Sequence, residues 1–169
     1  MKGWRSPLLL ATLPLALAAC VSQPAKPDAS AEFQARSGSR VSGTAQLTDL
    51  GGEKLRVEVS ARNVPPGEHG FHVHEAGDCS AADASSARGH YNPLGRRHGH
   101  YDRAEHHAGD LPNLVADAQG NVQYSTEVQG LTLNDVVGLS LVIHADPDDY
   151  MSQPAGNSGK RIACGVIRR

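Results

Sequence analysis

Aromatic side chains are scarce in this chain: two phenylalanines, four tyrosines and one tryptophan make up 4% of 169 residues. A core that cannot be built on large rings, in a chain where glycine (18) and proline (10) are frequent, favours many short strands and turns over helices. An excess of charge of one sign is also missing. Sixteen basic and 18 acidic side chains give a formal net charge of −2, which argues against nucleic acid as a partner. The apolar run Leu8 to Leu17 is too short to span a bilayer. There is no internal repeat. What remains, with 39% hydrophobic residues, is one domain of a size that buries a proper core.

The N-terminus reads as a leader. Lys2 and Arg5 form a basic start, the Leu8 to Leu17 run follows, and small residues close it, which is the organisation of a secretory signal over residues 1–19. Its end, Leu17-Ala18-Ala19-Cys20, resembles the bacterial lipobox, in which cleavage precedes a cysteine that is then lipidated. Lipid on Cys20 would anchor the protein to a membrane through two or more acyl chains. Cleavage removes two basic residues and no acidic one, moving the formal charge from −2 to −4. Residues 20–30, rich in Pro, Ala and Ser and without periodicity, read as the lipidated cysteine and a flexible tether. The domain then runs over 31–169.

From Arg40 onward the pattern is that of strands. Lys54, Arg56 and Glu58 alternate with Leu55, Val57 and Val59, giving a half-buried strand with one wet face. Gly51-Gly52 and Pro65-Pro66-Gly67 mark turns on either side. In Phe71-His72-Val73-His74, period two sends both imidazoles to one face and Phe71 and Val73 to the other. Residues 77–113 then form a long excursion, which in a compact domain needs a function or internal staples. Alternation returns at Val122, Tyr124, Thr126 and Val128, and again at Leu139, Leu141 and Ile143. A second long loop, 145–160, precedes a last strand from Arg161 to Ile167. Short antiparallel strands with long loops predict a sandwich or barrel.

All nine histidines fall between His69 and His144. His90, His98 and His107 share the first loop with Asp110, and three imidazoles with one carboxylate are a complete tetrahedral zinc set of the closed, structural kind. His72, His74 and His144 are left as a second nitrogen-rich cluster, and imidazoles in a roughly planar arrangement suit copper.

The motifs Gly70-Phe71-His72-Val73-His74-Glu75, Gly89-His90-Tyr91-Asn92-Pro93-Leu94, His107-Ala108-Gly109-Asp110-Leu111 and Arg161-Ile162-Ala163-Cys164-Gly165-Val166-Ile167 together resemble copper-zinc superoxide dismutase, in order, from about residue 40 to the end. The resemblance implies an all-β fold, a flattened eight-stranded Greek-key β-barrel related to immunoglobulin-like sandwiches, with two long functional loops. It makes His72, His74, His90 and His144 the copper ligands and His90, His98, His107 and Asp110 the zinc ligands, one ion of each per chain, with His90 bridging. Asp148 matches the aspartate linking a copper ligand to a zinc ligand, here His72 and His98. Cys79 and Cys164 match the family disulfide, which export permits. The implied reaction converts two superoxide anions and two protons to dioxygen and hydrogen peroxide, with His90 and Arg161 as the catalytic residues. Arg161 matches the arginine beside copper that attracts and docks the anion. That role answers a sign problem, since a protein near −4 repels superoxide on average and must focus a local positive field, and superoxide dismutases are themselves the familiar example of such steering.

The same resemblance, with the leader, places the protein in the periplasm, lipid-anchored to the envelope at the outer membrane, as a homodimer or a monomer. Lys160, Asp146 and Asp149 read as exposed loop charges. His69, His100 and His106 stand outside both ligand sets. The rival reading is a noncatalytic copper- and zinc-binding lipoprotein on the same scaffold, and Arg161 discriminates, because storage needs no anion-docking arginine.

Overall fold

In the computed structural model of the protein, which describes Met1 and residues 26–169, the described residues form nine strands, one short helix and one 3-10 turn. The remainder of the leader, Cys20 and residues 21–25 of the tether lie outside the described residues. The strands are β1 (Ala29–Ala35), β2 (Ser42–Asp49), β3 (Lys54–Arg62), β4 (Gly67–His69), β5 (Phe71–His74), β6 (Leu114–Ala116), β7 (Val122–Gln129), β8 (Ser140–His144) and β9 (Arg161–Arg168), with α1 (Leu133–Val136) between β7 and β8. All strand pairs are antiparallel.

The main sheet has the order β5-β8-β9-β1-β2-β3-β7, and β4 pairs with β6 separately. Only Gly70 separates β4 from β5, so the two form one broken strand that belongs to both ladders. Counted this way there are eight strands. The turn closed by Asp117 N–H on the Asn121 carbonyl joins β6 to β7, bringing the two ends of the order to one hairpin. The result is the curled barrel that the resemblance implies. The first strand begins at Ala29, inside the stretch that composition reads as tether.

Packing follows the period of two. Leu55, Val57, Val59 and Ala61 of β3 point inward, matched in register by Leu47 opposite Val57 and Ala45 opposite Val59 on β2. On the wet face, Lys54 and Arg56 meet Glu127 of β7 at 3.1 and 3.2 Å, exposed pairs that solvent screens and that add little to stability. Phe71 lies at the centre, edge-on to Phe33 at 6.4 Å and to Tyr124 at 6.2 Å. With so few aromatics, this trio carries most of the large-ring packing. A second, smaller apolar cluster of Cys79, Ala84, Ala87, Val142 and Cys164 fixes the first long loop against the opposite face of β8 and β9. There the Cys79–Cys164 disulfide spans 85 residues of sequence, a closure worth about 4–5 kcal/mol in the chain-entropy model.

Because Phe71 is fully buried, Phe71→Ala is expected to lower unfolding free energy by about 3–5 kcal/mol in denaturant titration. Leu94→Ala, at a side chain 69% exposed, is expected to change it by less than about 0.5 kcal/mol. Equal effects of the two would contradict the placement of the core.

Candidate metal centre

β5 supplies the foundation. Its inward residues Phe71 and Val73 are locked in the core, so His72 and His74 are held on the other face with no freedom to turn away. β8 lies alongside in the register His72 opposite Val142, and an irregularity between Ile143 and His144 ends the β8–β9 ladder with His144 opposite Arg161. The long loop is stitched onto β5 by single bridges, His74 to His90 and His72 to Asp110. Around them Tyr91 N–H donates to the Val73 carbonyl at 2.8 Å and Val73 N–H to the Gly109 carbonyl at 2.9 Å. Gly109 makes this approach possible, since a Cβ there would sit 2.3 Å from the Val73 carbonyl oxygen.

The predicted ligands assemble into two buried groups, His72, His74, His90 and His144 in one and His90, His98, His107 and Asp110 in the other. Within each group the candidate ligand atoms lie within 4.8 Å of one another, and His90 belongs to both. The outward nitrogens are all occupied in the first group. His72 Nε2–H donates to Asp148 Oδ2 at 2.8 Å, His74 Nδ1–H to the Arg88 carbonyl at 2.9 Å, and His144 Nδ1–H to the Gly159 carbonyl at 3.4 Å. The proton of each neutral ring is therefore on the outer nitrogen. His74 Nε2 and His144 Nε2 consequently face each other at 3.4 Å as two lone pairs, and the buried His72 Nδ1 and His90 Nε2 have no hydrogen-bond partner. Four inward lone pairs in a desolvated site suit a cation and little else.

In the second group Asp110 gathers the Nδ1 atoms of His90 at 2.8 Å, His98 at 3.1 Å and His107 at 3.5 Å. Backbone N–H groups of His107 and Gly99 steady its carboxylate. His90 Nδ1 and His107 Nδ1 are 3.4 Å apart, close to the ligand–ligand edge of about 3.4 Å expected for tetrahedral zinc with nitrogen bonds near 2.1 Å. Asp148 joins the two groups, bonding His72 through Oδ2 and His98 through Oδ1 at 2.9 Å. Gly156 leaves room for that link, because a Cβ there would lie 1.8 Å from Asp148 Oδ1.

Burial is the main influence on the first group. It lowers the pKa of His72, His74 and His144, and it brings His90 down to about 4, so these rings are neutral at pH 7. His98 departs from this trend: burial disfavours its charge, but the Asp110 carboxylate 3.1 Å from Nδ1 and the Asp148 carboxylate bonded to Nε2 outweigh that and raise it to about 9. Burial likewise works against the charge of both carboxylates and is overcome by the imidazoles around them, which hold Asp110 and Asp148 well below the usual range.

The family model for copper/zinc superoxide dismutase (SODC) matches residues 41–167. This chain belongs to the copper/zinc superoxide dismutase family. Among relatives, superoxide dismutase (Cu-Zn) 2 of Aquifex aeolicus is 44% identical over 137 residues, covering 76% of this chain and 80% of that protein. The superoxide dismutase-like protein YojM of Bacillus subtilis is 40% identical, covering 74% and 68%. The copper chaperone for superoxide dismutase of Rattus norvegicus is 39% identical, covering 76% of this chain but 49% of that protein. A crystal structure of the clock protein EA4 superposes with a TM-score of 0.76 at 32% identity, covering 86% of this chain and 97% of that one. Members of the superoxide dismutase family bind copper and zinc, and the two groups described above fit those ions by donor type and spacing.

As in a family with a small anionic substrate, the site opens to solvent. His90, His107, His144 and Arg161 line a cavity of about 650 Å³, together with Arg96, Arg97 and the single acid Glu75. Arg161 is half-buried and tied back, Nη1 to the Ala84 carbonyl at 2.7 Å and Nη2 to the Arg88 carbonyl at 2.6 Å. Sequence reasoning did not single out Arg96 and Arg97, although a basic pair directly before His98 was the available signal. It also missed Asn113, which brackets the Asp148 backbone, and Tyr150, whose N–H bonds Asp148 Oδ1 at 2.7 Å. Lys160, Asp146 and Asp149 are exposed. The three remaining histidines lie outside both groups. His69 is buried between the carbonyls of His144 and Pro65, His100 stacks on Tyr101 and bonds Asp102, and His106 bonds the His107 carbonyl.

For zinc to occupy the second group, His98 Nδ1 must give up its proton. Calorimetry of zinc uptake by the metal-free protein is expected to show about one proton released at pH 7, with affinity rising about tenfold per pH unit until it levels near pH 9. An affinity independent of pH between 7 and 9 would contradict the protonated His98.

Proposed function

We propose that the protein is a catalytic superoxide dismutase, with His72, His74, His90 and His144 holding copper and His90, His98, His107 and Asp110 holding zinc. The observation that carries this reading is the cavity whose inner wall is formed by two of the first group's buried imidazoles, His90 and His144, together with the fixed guanidinium of Arg161. A buffering or delivery protein has no use for such an arginine. The chaperone among the relatives shows that the scaffold also serves other roles, which makes the cavity, and not the fold, the basis of the choice.

When bound, copper supplies the one-electron couple that oxidises one superoxide and reduces another, and zinc holds positive charge on the far nitrogen of the shared ring. Arg161 attracts the anion and orients it, its two carbonyl anchors leaving the guanidinium no other position. Arg96 and Arg97 place further positive charge along the approach, offsetting the acidic protein as a whole. His74 and His144 are kept in one tautomer by the carbonyls behind them. His90 carries the proton chemistry at Nε2, an atom with no acceptor or donor in the protein, so a proton held there has the substrate as its destination. Two superoxide anions and two protons give dioxygen and hydrogen peroxide, which balances. The leader and Cys20 support a lipid-anchored envelope protein acting on superoxide outside the cytoplasm, a reading that palmitate labelling of Cys20→Ser against the parent tests.

The purified protein, loaded with copper and zinc and analysed for both metals, is expected to dismutate superoxide rapidly at one copper and one zinc per chain. Arg161→Glu is expected to lower the low-salt second-order rate by about tenfold or more and to flatten its salt dependence. Full metal content with negligible activity would instead establish the noncatalytic metal-binding protein.

A further inference from the structure

We propose that Arg36, which directly follows β1 and precedes the matched family region, is a positioning residue for Arg161, acting through the loop segment 79–88. The proposal rests on the reading of Arg161 as the anion-docking group. Arg36 does not line the cavity; it lines a separate groove with Cys79 and Cys164, so any effect on docking has to pass through the chain. Its Nε donates to the Cys79 carbonyl at 2.7 Å and its Nη2 donates to the same oxygen. Nη1 is occupied by the Ala35 carbonyl at 2.7 Å, and Nη2 also reaches Gln34 Oε1 at 2.8 Å, so all three nitrogens of the planar fork are engaged. The backbone anchors the same corner, with Arg36 N–H on the Ile162 carbonyl at 2.9 Å and Ser37 N–H on the Ala82 carbonyl at 2.8 Å.

Cys79 is thus gripped from two sides, by the disulfide to β9 and by the guanidinium from the end of β1. From there the segment has little slack. Ala84 N–H bonds the Ala81 carbonyl, Ala87 N–H the Ala84 carbonyl and Arg88 N–H the Ser85 carbonyl, and Ala84 and Ala87 are buried against Val142 and Cys164. Ala84 and Arg88 hold φ values of +58° and +65°, conformations that non-glycine residues keep only where the surroundings impose them. Their carbonyls are the two that hold the Arg161 guanidinium. A displacement at Cys79 therefore reaches Arg161 along constrained backbone, five residues on at the Ala84 carbonyl and nine residues on at the Arg88 carbonyl.

The test is azide affinity of the full-length, copper- and zinc-loaded protein, read from the azide-to-copper charge-transfer band so that only loaded sites report. The measurement is made on the disulfide-intact fraction after free thiols are alkylated and removed. Arg36→Met and Arg36→Lys are each expected to weaken azide binding by about 3- to 10-fold, lysine included because it keeps the charge but loses the fork. In an Arg161→Ala background, Arg36→Met is expected to add less than about twofold, because its target is gone. Three results overturn the proposal: parent-like azide affinity in Arg36→Met, parent-like affinity in Arg36→Lys alone, which assigns the effect to distant charge, or an undiminished effect without Arg161. Failure of the dismutase reading looks different, as a parent protein that binds azide and does not dismutate superoxide.

Discussion

Bringing the Nε2 atoms of His74 and His144 to 3.4 Å inside a desolvated site costs free energy unless a cation lies between their lone pairs, and most of the surrounding structure exists to impose that arrangement. Neutral rings are a precondition. Burial supplies it by lowering the pKa values of His72, His74, His90 and His144, and outward acceptors decide which nitrogen keeps the proton. His98 is the exception, held between two carboxylates, so metal uptake and proton release are linked at that one residue. Asp148 makes the two groups one object, because moving His72 disturbs the carboxylate that orients His98.

The division of labour between strands and loops follows from rigidity. β5 and β8 bring His72, His74 and His144 on elements whose other faces are locked in the core, whereas the remaining groups arrive on a loop that must be fastened. Fastening takes three forms: the bridges of His90 and Asp110 to β5, the disulfide to β9, and the clamp of Arg36 on Cys79. Arg161 begins β9, opposite His144, so docking group and imidazoles share one ladder end. The two residues whose carbonyls hold the Arg161 guanidinium, Ala84 and Arg88, both have positive φ, and such local strain often sits beside a site.

Much of this is legible in the amino-acid sequence. Period two in Phe71-His72-Val73-His74 separated a metal face from a core face, and the loss of alternation at residues 77–113 marked the loop that carries His90, His98, His107 and Asp110. Assigning those residues to particular ions, and pairing Cys79 with Cys164, came from the family resemblance and not from spacing. β1 escaped notice because its inward positions include Ala29 and Ala31, too small to stand out in a Pro-, Ala- and Ser-rich stretch. Asn113, Tyr150 and Arg36 act through backbone groups distant in sequence, and no local pattern announces such contacts. The same holds for the Arg88 carbonyl, which accepts from both His74 and Arg161.

The two ligand groups form one metal centre only because His90 belongs to both through its two nitrogens. The most direct test fills both sites with copper(II) and follows the electron paramagnetic resonance signal with temperature. An imidazolate shared through Nδ1 and Nε2 would couple the two ions, so the expected signal weakens on cooling relative to that of two independent coppers, with the ordinary signal restored in His90→Ala wherever copper remains bound. Two uncoupled copper(II) signals in the parent protein, at full occupancy of both sites, would contradict it.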